Sequence, residues 1–245
     1  MAVKSIQYHQ HTFSISYEIL NPEGKVDIIF LHGWGSNKEL MKGAFGKHLN
    51  TFRHIYIDLP GFGKSTNDMT LSTQEYAEII ELFLGEISAN EKEIIVGHSF
   101  GGKVALLLEP QLLVLVASAG IYRTKSLYVM AKISLFKVFK LLGLNRFRSA
   151  FVASDAVSLS QPMYETFKIV VNEDLSSQFE SFKGKGLLLW GRDDTATPLE
   201  SAEYMVELME DSRLIVYEGD HYFFMSETED ISVEILKSYL QIKQS

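Results

Sequence analysis

The chain predicts an α/β fold built on a mostly parallel sheet of about eight strands. Three observations lead there. Six short apolar runs recur without polar alternation, the pattern of strands buried on both faces. Stripes of apolar residues at helical spacing separate them. One long stretch, 121–183, carries no clear buried strand and reads as a helical insertion into that alternation.

The first segment is different in kind. Ile6 and Tyr8, then Phe13, Ile15, Tyr17 and Ile19, recur at period two, which predicts an opening antiparallel pair ending in the turn "NPEGK". The buried runs follow: "VDIIFL" (26–31), "HIYID" (54–58), "EIIVG" (93–97), "LLVLVAS" (112–118), "GLLLW" (186–190) and "RLIVY" (213–217). Ser72-Thr73-Gln74-Glu75 is a capping-box pattern ahead of Tyr76, Ile79, Ile80, Phe83, Leu84 and Ile87. Thr197-Pro198-Leu199-Glu200 repeats it, with Pro at the favoured first helical position. Ser226-Glu227-Thr228-Glu229 opens a last helix carrying Ile231, Ile235, Leu236 and Tyr239. Within 121–183, "SLYVMAKISLFKVFKLLGLNRF" steps at helical spacing through Val129, Ile133, Phe136, Lys140 and Leu144. The expected division is a core of residues 1–120 and 184–245 with a helical cap at 121–183.

Composition narrows the function. The 245 residues are 46% hydrophobic and 22% charged, ordinary for a globular protein with a sizeable core. A net charge of −8 argues against a general nucleic-acid binder, which needs a basic face. With no cysteine, disulfides, thiolate metal sites and Cys nucleophiles are excluded. The N-terminal "MAVKSIQYHQHTF" lacks a signal-peptide core, and Glu109, Pro110 and Gln111 break the most apolar stretch too early for a membrane span. A cytoplasmic protein without stable membrane insertion is the expectation.

"VGHSFGG" (96–102) sets Ser99 directly after an apolar run and between glycines. A tight strand-to-helix turn there exposes the hydroxyl above the carboxyl edge of the sheet, with Gly97, Gly101 and Gly102 allowing the close backbone approach. A hydroxyl needs a base, and the base needs an orienting carboxylate. Of seven histidines, His221 alone follows the last expected strand. "WGRDDTATP" offers Asp193 and Asp194 after the strand at 186–190, whereas the strand at 112–118 ends in "ASAG" without an acid. "LHGWGSN" (31–37) follows the first buried run, and the backbone N–H groups of Trp34 and Phe100 form a candidate oxyanion hole.

In order, "HGWG" (32–35), "DLPGFGKS" (58–65), "GHSFGG" (97–102), "GRDDTATP" (191–198) and "GDH" (219–221) resemble the α/β-hydrolase superfamily over essentially the whole chain, in its esterase- and lipase-like, serine-nucleophile form. The family's Gly-x-x-Asp-x-x-x-Pro spacing falls on Gly191, Asp194 and Pro198, and so selects Asp194 over Asp193. Relatives with an acid nucleophile carry Asp where Ser99 stands. Two departures stand out: Asp220 occupies the usually small position before the histidine, and the helix after Ser99 meets Glu109-Pro110 early. "GFGKS" (61–65) lacks the spacing of a phosphate loop and reads as a structural turn.

The resemblance implies a serine hydrolase with the triad Ser99, Asp194 and His221, needing no cofactor or metal and cleaving an ester or thioester through an acyl-enzyme. C–C bond hydrolysis, lyase chemistry with the same triad, and a slow small-ligand sensor are the alternatives. Arg123, Lys125, Lys132, Lys137, Lys140, Arg146 and Arg148 fall between Pro110 and Ser154 with no acidic residue. A solvated outer face is the plainer reading of that run. Docking of an anionic carrier such as coenzyme A or acyl carrier protein, or of an anionic membrane surface, is the sharper one.

Overall fold

The computed structural model describes residues 2–122 and 160–244. Eight strands form one sheet: β1 Ala2–Tyr8, β2 His11–Leu20, β3 Asp27–Leu31, β4 Arg53–Ile57, β5 Ile94–His98, β6 Leu112–Val116, β7 Lys185–Gly191 and β8 Ser212–Tyr217. Their order is β1-β2-β4-β3-β5-β6-β7-β8. β1 and β2 pair antiparallel, as the alternation predicts, and β2 also runs antiparallel to β4. All other pairs are parallel. Each expected buried run lies on a strand, and β3, β5 and β6 are buried along their full length.

Helices cover both faces. α1 (Lys38–Phe45) and the C-terminal helix α7 (Thr228–Gln244) pack on Ile28, Phe30, Val96, Val114 and Leu189. α2 (Thr73–Glu86), α3 (Phe100–Leu107) and α6 (Leu199–Leu208) pack on the alternate side chains, including Ile29, Leu31, Ile95, Leu115 and Leu188. Ser72 and Glu75 form the expected capping box of α2, a feature worth about 1 kcal/mol. At α6 the expectation fails. Pro198 itself is the N-cap, and the Thr197 hydroxyl turns to Asp194 Oδ2 at 2.8 Å. The hydroxyl is turned toward Asp194 and Ala117 O, away from the helix start, so it accepts no N–H of α6. At the last helix Ser226 donates to the Phe223 carbonyl, and α7 starts at Thr228.

Of the expected cap, residues 123–159 lie outside the described residues, including the expected helix and all seven basic positions named above. Residues 160–183 hold two helices, α4 (Gln161–Val170) and α5 (Ser176–Ser181). They are tied to the core by polar bonds. Buried Lys103 of α3 donates from Nζ to Val170 O at 2.6 Å and Glu173 Oε2 at 3.0 Å. Glu173 also accepts from the Thr73 N–H (3.1 Å) and hydroxyl. Leu175 N–H donates to Gly120 O, and Asp174 accepts from Tyr122 N–H, so the turn between α4 and α5 is bound to the segment that follows β6.

A buried ion pair organises the loops at the carboxyl edge. Lys38 Nζ lies 2.7 Å from Asp58 Oδ2 and donates to Ser16 Oγ at 3.0 Å; both charged side chains are at most 2% exposed. Asp58 also accepts the N–H groups of Lys38 and Lys64, so "GFGKS" wraps a carboxylate of the chain itself. A Cβ on Gly63 would collide with that carboxylate, and its φ of 56° is left-handed besides. The turn is structural. Lys38→Met should lower stability by about 3–5 kcal/mol by leaving a buried carboxylate without its counter-charge. Adding Asp58→Asn should recover part of the loss, read from urea midpoints of the single and double variants.

Candidate active site

β5 delivers Ser99 to the edge. Its backbone sits at φ 52°, ψ −116°, a sparsely populated region for a residue with a Cβ. Three main-chain bonds hold it: Ser99 N–H to Val116 O (3.1 Å), and Ser99 O from Gly102 N–H (3.0 Å) and Ala119 N–H (3.1 Å). The glycines are spatial requirements. A Cβ on Gly101 would lie 2.5 Å from Leu31 O, one on Gly97 2.5 Å from Gly101 O, and one on Gly102 would overlap the Ser118 side chain. α3 is short, as its early Pro110 predicts, and begins at Phe100, whose N–H therefore has no intrahelical acceptor.

The acid and histidine meet. Asp194 is buried and its Oδ2 lies 2.7 Å from His221 Nδ1; Asp193 is exposed. Asp194 Oδ1 accepts the N–H groups of Ala196 (2.8 Å) and Thr197 (2.9 Å). Burial works to raise this carboxyl, but the bonds from His221 and Thr197 outweigh it and hold it below its usual value. An ionised carboxylate only accepts, so the proton sits on His221 Nδ1 and leaves the Nε2 lone pair free. Asp220 is exposed and its Oδ1 accepts Tyr222 N–H at 2.8 Å, an Asx turn shaping the histidine loop.

Ser99 shares the edge with this pair through its neighbour. The His98 ring lies 4.8 Å from the His221 ring, centroid to centroid, and its Nε2–H donates to His221 O at 3.2 Å. Among the described residues no hydrogen bond joins Ser99 Oγ to His221, and in enzymes without bound substrate that bond is often long. On the other side, a Cβ on Gly33 would lie 3.1 Å from Ser99 Cβ, which sets the Gly33-Trp34 backbone against the serine. The Trp34 ring packs on Phe62, Phe100 and Phe167 at 4.8–5.5 Å.

Two positioning histidines were not singled out in the sequence. His32 is fully buried; its Nδ1–H donates to Gly33 O at 2.8 Å and its Nε2 accepts Leu59 N–H at 3.0 Å, locking the loop that carries Trp34. His98 clamps the His221 carbonyl. Only the "HG" and "GH" motif contexts signalled them, since each has a backbone partner, Leu59 N–H or His221 O, distant in sequence.

A strained serine at a strand-to-helix turn, on the sheet edge that also carries an acid–histidine pair, defines a hydrolytic enzyme of α/β architecture. The chain belongs to the alpha/beta hydrolase family, whose sequence model matches residues 28–232. It is 26% identical over 246 residues to a pimeloyl-[acyl-carrier protein] methyl ester esterase of Proteus mirabilis, covering 88% of this chain and 93% of the relative. The same-named enzyme of Edwardsiella ictaluri is 28% identical, covering 84% and 90%. An esterase of Exiguobacterium antarcticum shares the fold with a TM-score of 0.75 at 22% identity, over 96% of this chain and 98% of that one. A meta-cleavage product hydrolase of Pseudomonas fluorescens shares it at 0.67 and 19% identity, over 97% of each. Among the described residues no helix is long and apolar enough to cross a membrane.

The buried histidines predict an acid-sensitive fold. Burial pushes His32 down to about 4, and burial with the adjacent His221 imidazole pushes His98 down to about 3. The unfolded chain binds their protons near pH 6.5, the folded chain only below about 4, so their stabilisation is complete above about 6.5 and lost as pH falls. Stability should drop by up to about 1.4 kcal/mol per pH unit for each histidine between about pH 6.5 and 4. Urea midpoints at pH 7, 6 and 5 measure that slope, and His32→Gln should make it visibly shallower.

Proposed function

We propose that this protein is a serine esterase that cleaves a carboxylic ester or thioester of a small acyl substrate. The observation that carries the reading is the strained Ser99 elbow on the edge where Asp194 Oδ2 holds His221 Nδ1 at 2.7 Å. Ser99 Oγ attacks the carbonyl carbon while His221 Nε2 takes its proton, and Asp194 stabilises the imidazolium that forms. The N–H groups of Trp34 and Phe100 receive the oxyanion, which the first turn of α3 also favours. The imidazolium protonates the leaving alcohol or thiol, leaving an acyl-Ser99. Water, deprotonated by His221, then releases the acid and restores the serine.

The deciding experiment follows p-nitrophenol release from acyl esters of increasing chain length. Ser99→Ala should lower kcat by about 10⁴–10⁶, with His221→Ala in the same range and Asp194→Asn losing about 10⁴. Retention of most activity by Ser99→Ala would sink the mechanism. Wild-type silence on every ester would shift the reading to C–C chemistry or ligand sensing.

The substrate class we infer is an acyl ester borne on an acidic carrier, with residues 1–120 and 184–245 as core and 121–183 as the element that chooses it. Two observations support this. The curated relatives are named for a carrier-linked methyl ester, and seven Lys and Arg residues lie in 123–148 without one Asp or Glu in a chain of net charge −8. The carrier-linked ester should then be preferred over the free acyl methyl ester, with kcat/KM falling as salt rises. Lys137→Glu with Lys140→Glu should cost the carrier-linked substrate about tenfold and leave p-nitrophenyl acetate unchanged. Equal losses on both substrates would refute carrier docking.

A further inference from the structure

We propose that Thr197 is a positioning residue whose hydroxyl sets the orientation and tautomer of the Asp194–His221 pair. The proposal deepens the triad reading above and rests on it.

Its hydroxyl lies where three polar groups converge. Thr197 Oγ1 is 2.8 Å from Asp194 Oδ2, 3.1 Å from Ala117 O and 3.3 Å from His221 Nδ1. The two backbone donors, Ala196 and Thr197 N–H, both bind Oδ1. Oδ2, the oxygen that holds the imidazole, therefore has the Thr197 hydroxyl as its partner besides His221. Without that hydroxyl, Oδ2 is held by the imidazole alone, the group it has to orient.

A hydroxyl has one proton and two acceptor lone pairs. The proton goes to Asp194 Oδ2 or to Ala117 O, and in both cases a lone pair remains toward His221 Nδ1. The Nδ1–H then lies between two oxygens, a main acceptor at 2.7 Å and a secondary one at 3.3 Å. Both favour a proton on Nδ1, which keeps Nε2 bare to receive the Ser99 proton.

The threonine is itself held rigidly. Its carbonyl accepts the indole N–H of fully buried Trp190 at 2.7 Å, and Pro198 follows as the N-cap of α6. The hydroxyl that the sequence pattern offers to the helix is therefore committed to the acid.

Thr197→Val keeps the shape and removes the hydroxyl; Thr197→Ser restores it. On an ester that wild type hydrolyses and Ser99→Ala does not, Thr197→Val should lower kcat by about 10–100-fold with KM within about twofold. Thr197→Ser should stay within about threefold of wild type. The low-field proton resonance of His221 Nδ1–H supplies a readout independent of turnover. It should be sharp in wild type, Thr197→Ser and Ser99→Ala, and broadened or lost in Thr197→Val. Wild-type kcat and a sharp resonance in Thr197→Val overturn the proposal, as do equal losses in the Val and Ser variants. Turnover surviving in Ser99→Ala overturns the triad reading instead, and the resonance still decides the role of Thr197.

Discussion

The site depends on one strained residue and on what prevents it from relaxing. At φ 52° Ser99 costs of order 1–3 kcal/mol relative to an ordinary strand or helix conformation. The strain persists because both neighbours of β5 grip the turn. β6 supplies the Val116 carbonyl and the Ala119 N–H, while the end of β3 presses its Leu31 and His32 carbonyls against Gly101. Relaxing the serine would break main-chain bonds on one side and open a packed contact on the other. A central parallel sheet, covered on both faces, is rigid enough to hold such a residue, and it leaves the hydroxyl beyond the strand end where a substrate can reach it.

Around that turn the loops are built on buried polar groups tied to partners far along the chain. Lys38 and Asp58 neutralise one another, and Asp58 gathers two backbone N–H groups besides. His32 bridges the two loops after β3 and β4 by donating to Gly33 and accepting from Leu59. Burial favours the neutral form of both histidines, so His32 acts as donor and acceptor in a fixed tautomer while His98 donates through Nε2. The cost is sensitivity to acid, because a proton on His32 Nε2 would abolish its bond from Leu59 N–H and a proton on His98 would place a charge in a buried site. Asp194 is governed by the opposite device, hydrogen bonds that favour its charge.

The parts legible in the sequence are those whose signal is local. Buried parallel strands announce themselves as unbroken apolar runs, and "VGHSFGG" carries its geometry in its glycines, so β5 and Ser99 are both readable. The choice of Asp194 over Asp193 needed family spacing, since two adjacent acids look alike until burial separates them. Thr197 was read as a capping residue because Thr-Pro-x-Glu has that local meaning. A carboxylate three residues earlier competes for the same hydroxyl, and a tertiary partner, His221, fixes the outcome. Lys38, His32 and Lys103 were not singled out for a related reason: their partners lie 20 to 70 residues away and leave no periodic trace.

Strand order explains why the histidine needs so much support. In the order β5-β6-β7-β8, His221 leaves the end of β8, yet its ring packs on His98 at the end of β5, three strand spacings or about 14 Å away. The loop therefore lies back across the sheet edge. Gly191 lets it pass, since a Cβ there would meet the Gly219 carbonyl at 2.5 Å, and the Asp193 N–H to Gly219 O bond pins it at 2.9 Å. Phe223 and Phe224 bury its far side, and His98 closes the last gap by donating to the His221 carbonyl. With the acid at the end of β7, Asp194 meets the loop midway and steadies the imidazole before it reaches β5. Held through Nδ1 by a carboxylate that comes from the end of β7, the ring keeps its Nε2 free of that bond.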